Sequence, residues 1–194
     1  LVINQLLQAQ PASSIVAAVR NPAKAAELAA LGVQVRHADY TQPATLRAAF
    51  AGAGRILLIS SSEVGARASQ HQAVIDAAKH AEVELLAYTS LLHADRSPLG
   101  LATEHRSTEA AIVASGLPYV LLRNGWYTEN HAQAIPAALA HGALIGAAGA
   151  GRIASAARAD YAAAAAIAIS GDAACNRIYE LAGDESYTLS EFAL

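Results

Sequence analysis

Apolar runs of strand length alternate along this chain with longer, alanine-rich segments of helical period, and that alternation restricts the fold more than any other feature. The runs are SIVAAVR (14–20), VQVRHAD (33–39), RILLIS (55–60), ELLAYTS (84–90), YVLLRNG (119–125) and RIYELAG (177–183). Runs this apolar are buried on both faces, which a parallel sheet covered by helices on both sides provides. The spacers carry helix ends. Asn21-Pro22 sets an Asn cap before a Pro at the first helical position, and Leu31-Gly32 closes that helix. A second helix fits TQPATLRAAF (41–50). Longer ones fit 66–81 and 101–116, where Gly116 ends the helix and Pro118 forbids its return. ADYAAAAAIAIS (159–170) has helix propensity rather than the composition of a disordered tract. The expected fold is α/β, a Rossmann-type doubly wound parallel sheet, with no repeat and no linker.

Composition agrees. The 194 residues are 54% hydrophobic, with a mean hydropathy of +0.29, enough for a large single core. Only 15% are charged and the formal net charge is −3, so there is no basic footprint for a nucleic acid. The single cysteine, Cys175, excludes an internal disulfide and a multi-cysteine metal site and suits a reducing compartment; the cytoplasm is expected. His71, His80, His93, His131 and His141 have no paired metal-ligand spacing, and no metal is expected. No apolar run approaches ~20 residues and LVINQLLQAQ lacks the marks of a signal peptide, so no membrane is expected.

A dinucleotide fold opens with a strand, a glycine-rich turn and a helix whose N-terminus holds the pyrophosphate. No G-x-G-x-x-G or G-x-x-G-x-x-G precedes SIVAAVR. LVINQLLQAQ has the pattern of the back half of that first helix, and TLSEFAL starts a helix behind a Thr or Ser cap. The expectation is a chain without its first strand and glycine loop, and with a helix cut short at the other end.

LLISSSEVG, AYTSLLHADRSPLGLATEH, GLPYVLLRNGWYTEN and GAAGAGRIASAARADYAAAAA closely resemble the NmrA-like atypical short-chain dehydrogenase/reductases, and the resemblance runs from VRNPAK to YELAGDESYTL. It implies an NADP(H)-binding Rossmann-type domain at 1–130, a partial C-terminal substrate region at 131–194 interleaved with the last sheet strands, and reduction of quinones. It also implies a glycine loop ahead of Leu1 and helices beyond Leu194. The expected partner is a small-molecule quinone, with a homodimer as the assembly.

Arg20 ends the second strand of such a sheet, where an acidic residue would accept from the ribose 2′-OH of NAD and repel a 2′-phosphate. A guanidinium reverses that preference, and Lys24 lies one turn further on. The resemblance assigns Arg20, Asn21 and Lys24 to the 2′-phosphate; the competing reading is a surface arginine with a capping Asn-Pro and a solvated lysine. Asp39 stands where an adenine amino group approaches, or forms a turn before Thr41. Ser60, Ser61 and Ser62 follow the next strand at the crevice edge, as cofactor contacts, as helix-capping loop residues, or as both.

Short-chain dehydrogenases that reduce carbonyls use a Ser and a Tyr-x-x-x-Lys pair in which the tyrosine donates a proton and the lysine lowers its pKa. Thr89 and Ser90 stand where the serine lies, and Thr89 is expected at the cofactor. On the following helix, setting His105 against the tyrosine puts Glu109 against the lysine, and sliding one turn puts Leu101 and His105 there. Neither register restores the pair. Quinones accept hydride readily, so orientation of the reactants carries more of the reaction than a proton relay does. His105 is the candidate donor, against a helix-surface or capping role beside Glu104 and Glu109. Asn124-Gly125 permits a bend that brings amides toward the nicotinamide, and Trp126 and Tyr127 offer flat faces for a quinone unless they form a core pair. Arg123 is expected to be structural, with Arg158 and Asp160 ordering the cleft wall. Two functions follow: hydride transfer from NADPH to a quinone or similar conjugated acceptor, and a redox sensor that binds NADP(H) without turnover.

Overall fold

The computed structural model describes residues 1–171 and 175–194. The chain runs α1 (Val2–Leu6), β1 (Val16–Val19), α2 (Ala26–Ala30), β2 (Gln34–His37), α3 (Pro43–Phe50), β3 (Arg55–Leu58), α4 (Arg67–His80), β4 (Leu85–Leu91), α5 (Gly100–Ser115), β5 (Tyr119–Asn124), α6 (Ile135–His141), β6 (Arg152–Ile153), α7 (Arg158–Ser170), β7 (Arg177–Leu181), β8 (Tyr187–Thr188) and α8 (Leu189–Phe192). All six predicted strands form and all pair in parallel, β1 with β2 and β3-β4-β5-β7 in that order. The central strand β4 is buried from Leu85 to Ser90, and its side chains alternate between two cores. Leu86 and Tyr88 join Leu46, Phe50, Ile75 and Ile112 beneath α3, α4 and α5, while Leu85 and Ala87 join Ala165 and Ala168 of α7. Helices therefore cover both faces, as in a doubly wound sheet.

Helix ends follow the sequence closely. The Asn21 side chain accepts from the Ala23 amide at 3.1 Å, although the turn it caps is 3₁₀ (Pro22–Ala25) before α2 begins. Gly116 stops α5 at φ +77°, a conformation costly for any other residue. At the last helix Thr188 and Glu191 form a reciprocal capping box. Sequence periodicity does not reveal the antiparallel ribbon of β6 and β8, because each contributes only two residues. It lies beside the carboxyl end of β5.

Between β1 and β3 the sheet is interrupted by an apolar slot of about 290 Å³, bordered by Val16–Val19 on one side and Arg55–Leu57 on the other, with Ile3, Leu6, Phe50 and Ile169 closing it.

Candidate active site at the carboxyl edge of the sheet

The parallel strands end together on one edge, so the residues that follow them converge although they are far apart in sequence. Arg20 follows β1 and is exposed; its Nη1 lies 3.3 Å from Oε1 of Glu63, in the loop after β3. Lys24 is exposed one turn on. Asp39 follows β2, and its carboxylate is engaged in a turn: Oδ1 accepts from the Thr41 amide at 2.8 Å and from the Thr41 hydroxyl at 2.7 Å, and Oδ2 from Gln42 at 3.3 Å. These bonds, the Thr41 amide first, hold its carboxyl below the usual carboxylate range. The turn anticipated as an alternative for Asp39 is thus present.

The Ser60–Ser62 loop is tied to β4 and to side chains of α4 rather than capping that helix. The Ser60 amide donates to Oγ1 of Thr89 at 2.9 Å, and the Ser61 amide to Nε2 of His71 at the same distance. The capping role expected for Ser61 and Ser62 is not seen: α4 begins behind Ala66 with no side-chain cap, four residues beyond Ser62, and Oγ of Ser61 accepts from the Glu63 amide instead. With the amides of Ser60 and Ser61 committed inward, the loop offers a ligand its hydroxyl groups.

Beneath this loop lies a buried polar layer. The Tyr88 hydroxyl and Nδ1 of His105 are 2.7 Å apart, and both residues are buried. Burial pushes the Tyr88 phenol up and holds His105 down at about 4, so near pH 7 the neutral phenol donates to a neutral imidazole. His105 is therefore an interior residue, not one on the helix surface, because α5 turns that face onto β4. Where the Tyr-x-x-x-Lys pair is absent, a different arrangement stands: Ser90 Oγ donates to Oε1 of Glu109 at 2.5 Å, and Arg123 grips the same carboxylate with Nε at 3.0 Å and Nη2 at 2.7 Å. Nη1 of Arg123 reaches Asp95 at 2.7 Å and Glu180 at 2.8 Å. Glu109, first of these, raises the Arg123 pKa further. The network is closed and leaves Ser90 no free base.

Asn124 and Gly125 end β5 at the bottom of the cleft. Asn124 is 7% exposed, and its Oδ1 is fully buried with no hydrogen-bond donor among the described residues. Such an orphaned acceptor is costly in a folded core, so it marks a place where a donor is received. Gly125 is needed for close approach rather than for an unusual backbone angle. A Cβ there would stand 3.0 Å from the Tyr161 hydroxyl and 3.1 Å from the Leu181 carbonyl, and its amide is used by that carbonyl at 2.8 Å. The bend anticipated at this pair thus directs the Gly125 amide to β7.

Trp126 is 53% exposed, which rules out a core pair. Tyr127 is half-buried against the Tyr161 ring (5.2 Å between centroids) and under the Arg158 guanidinium (5.4 Å). Asp160 caps α7 by accepting from the Ala157 amide at 3.2 Å. His131, Tyr187 and Phe192 form an aromatic cluster beside Trp126, with Tyr187 Oη 2.8 Å from His131 Nε2 and 2.7 Å from Ser155 Oγ. Sequence reasoning missed this wall and also missed His71. The latter had a partial signal: on the helix expected at 66–81, His71 shares a face with the apolar Val74, Ile75 and Ala78, and that face is buried. Among the described residues no three His, Cys, Asp or Glu side chains gather for a metal, and no helix is long and apolar enough to cross a membrane.

Residues 1–170 match a family described as NAD(P)H-binding. The chain is 60% identical over 192 residues to quinone oxidoreductase 2 of Escherichia coli (strain K12), covering 99% of this chain and 67% of that protein. It superposes on the crystal structure of the NADPH-dependent quinone oxidoreductase from Escherichia coli complexed with NADPH with a TM-score of 0.96, at 60% identity, over 98% of this chain and 68% of the other. The triphenylmethane reductase of Citrobacter sp. complexed with NADP(H) gives a TM-score of 0.95 at 39% identity, over 98% of this chain and 68% of that one.

Proposed function

Because the chain belongs to the NAD(P)H-binding family that its residues 1–170 match, we propose that it passes a hydride from NADPH to a quinone or a similar conjugated acceptor. The observation that carries the reading is the 60% identity to a quinone oxidoreductase over nearly the whole chain. The residues at the sheet edge fit the cofactor independently, with a guanidinium after β1 held only by an exposed ion pair to Glu63 and, among the described residues, an orphaned buried acceptor at the end of β5.

In this reading Arg20 and Lys24 hold the 2′-phosphate, with Asn21 fixing the turn that carries them. Asp39 borders the adenine, and Ser60, Ser61, Ser62 and Thr89 border the ribose and phosphates. Oδ1 of Asn124 would receive a donor of the bound cofactor, such as the nicotinamide carboxamide N–H, and so help to orient the ring. Gly125 lets the end of β5 pack against Tyr161 and Leu181, which seats Asn124 at the cleft. Trp126 supplies an apolar face for the quinone, Tyr127 backs it, and residues 131–194 form the substrate side. Bound NADPH supplies the hydride. The protein contributes orientation, and the hydroquinone oxyanion takes its proton from solvent, since Ser90 is closed off by Glu109 and His105 is neutral and buried.

Steady-state oxidation of NADPH with a benzoquinone or naphthoquinone tests the proposal. Turnover that requires the quinone is expected; NADPH binding with no turnover of any acceptor would replace the enzyme with a redox sensor. Arg20→Ala is expected to raise KM for NADPH roughly tenfold or more and to leave KM for NADH nearly unchanged. Equal losses for both cofactors would refute the phosphate role.

A further inference from the structure

Both polar groups of a single loop residue are gripped by buried side chains. The Ser61 amide donates to Nε2 of His71 at 2.9 Å, and the Ser61 carbonyl accepts from Nε of Arg67 at 2.6 Å. Arg67 and His71 are four residues apart on α4 and only 4% and 0% exposed, so one face of the helix presents both. Each is held from behind by α5. Nη1 of Arg67 meets Oε2 of Glu104 at 3.1 Å, and Nδ1 of His71 meets Oγ1 of Thr108 at 2.9 Å. Glu104 and Thr108 are again four residues apart.

The chain of donors fixes the histidine tautomer. Nε2 accepts the Ser61 N–H and so carries no proton; Nδ1–H donates to Thr108, whose hydroxyl donates to the Glu104 carbonyl at 3.0 Å. The second oxygen of Glu104 accepts from the Gly65 amide at 2.8 Å, which ties down the far end of the same loop.

We propose that His71 and Arg67 are positioning residues for the cofactor site: they set the two peptide planes that meet at Ser61, and through them the direction in which the Ser60–Ser62 segment presents its hydroxyls to NADPH. The inference rests on the NADPH reading above. A segment whose central residue is held at both its N–H and its carbonyl loses little freedom when the ligand arrives, and the affinity gained that way disappears when the grip is released.

Two conservative substitutions separate this role from mere packing. In His71→Gln the amide oxygen reaches the place of Nε2 and keeps the Ser61 bond while losing Thr108. In His71→Asn the amide reaches only the place of Nδ1, keeping Thr108 and losing Ser61. NADPH affinity, read by fluorescence titration, is measured beside the melting temperature of each protein. The expected result is comparable destabilisation of both variants, with His71→Gln binding NADPH within about twofold of the parent and His71→Asn roughly tenfold more weakly. If the two variants bind NADPH alike, or His71→Gln is the weaker, the positioning role is overturned and His71 is a packing residue. If the parent protein itself binds no NADPH, the proposed function falls and the inference falls with it, an outcome distinct from equal binding by the variants.

Discussion

Arg20 and Glu63 face each other at 3.3 Å across the mouth of the cleft, with side chains 72% and 49% exposed. A pair so solvated contributes about 0.2–1 kcal/mol, little enough for a dianionic phosphate to displace it. In the proposed role of Arg20 as phosphate ligand, Glu63 is a weak competitor for the guanidinium, held in place by Gln70, which donates to its other oxygen at 2.6 Å. Glu63→Gln removes the competing charge and is expected to tighten NADPH roughly two- to fivefold in low salt, with the gain fading as ionic strength rises. Titrations at two salt concentrations check it; weaker binding would mean that Glu63 prepares Arg20 for the phosphate instead of opposing it. At this scale the sequence announced Arg20 through its place after an apolar run. Glu63 carried no such signal, because its partner lies 43 residues away in the chain.

Between elements, the tie that matters most is Arg123. It rises from β5 and binds Glu109 of α5 and Glu180 of β7, while Ser90 of β4 completes the set through Glu109. One buried cation thereby fixes the spacing of three neighbouring strands and a helix at the level of the cleft floor. Glu109→Gln keeps the shape and removes the charge, leaving a guanidinium that is 7% exposed without its bidentate partner. The expected loss is about 3 kcal/mol of unfolding free energy, read from the urea midpoint. Ser90→Ala, which removes one donor and leaves the ion pair, is expected to cost about 1 kcal/mol. A smaller loss for Glu109→Gln than for Ser90→Ala would contradict the network as described. The strands that carry these residues were readable because parallel strands are apolar along their whole length. The ribbon of β6 and β8 was not, because two-residue strands have no period to detect.

For the molecule as a whole, His71 and His105 make stability depend on pH. Burial is the leading cause that lowers both, from 6.5 to about 4. As pH falls from 6.5 toward 4, the unfolded chain takes up protons that the native fold refuses, so this contribution is full above pH 6.5 and is lost as pH falls through that interval. Each imidazole accounts for roughly 3 kcal/mol across it. Urea unfolding at pH 7 and pH 5 is expected to give a clearly lower stability at pH 5, and a His71→Gln/His105→Gln double variant is expected to flatten the difference. An unchanged slope in that variant would place the acid sensitivity elsewhere.

The sequence by itself determined the class of fold, because the alternation of apolar runs with helical segments admits few arrangements other than a parallel sheet between two helical layers. It also determined where the cleft must lie, since residues that follow parallel strands meet on one edge whatever the details. The sequence also placed Arg20 at a strand end, but by itself left that residue between a 2′-phosphate contact and a surface arginine. Tertiary structure alone decided what each polar residue near that edge touches. The amides of Ser60 and Ser61 turn inward to Thr89 and His71, Asn124 is left with an orphaned oxygen, and Gly125 is required by a neighbouring hydroxyl and carbonyl rather than by its own backbone angle. These contacts join residues distant in the chain, and no local period encodes them, because they arise only when separate elements are packed to within a hydrogen bond of one another.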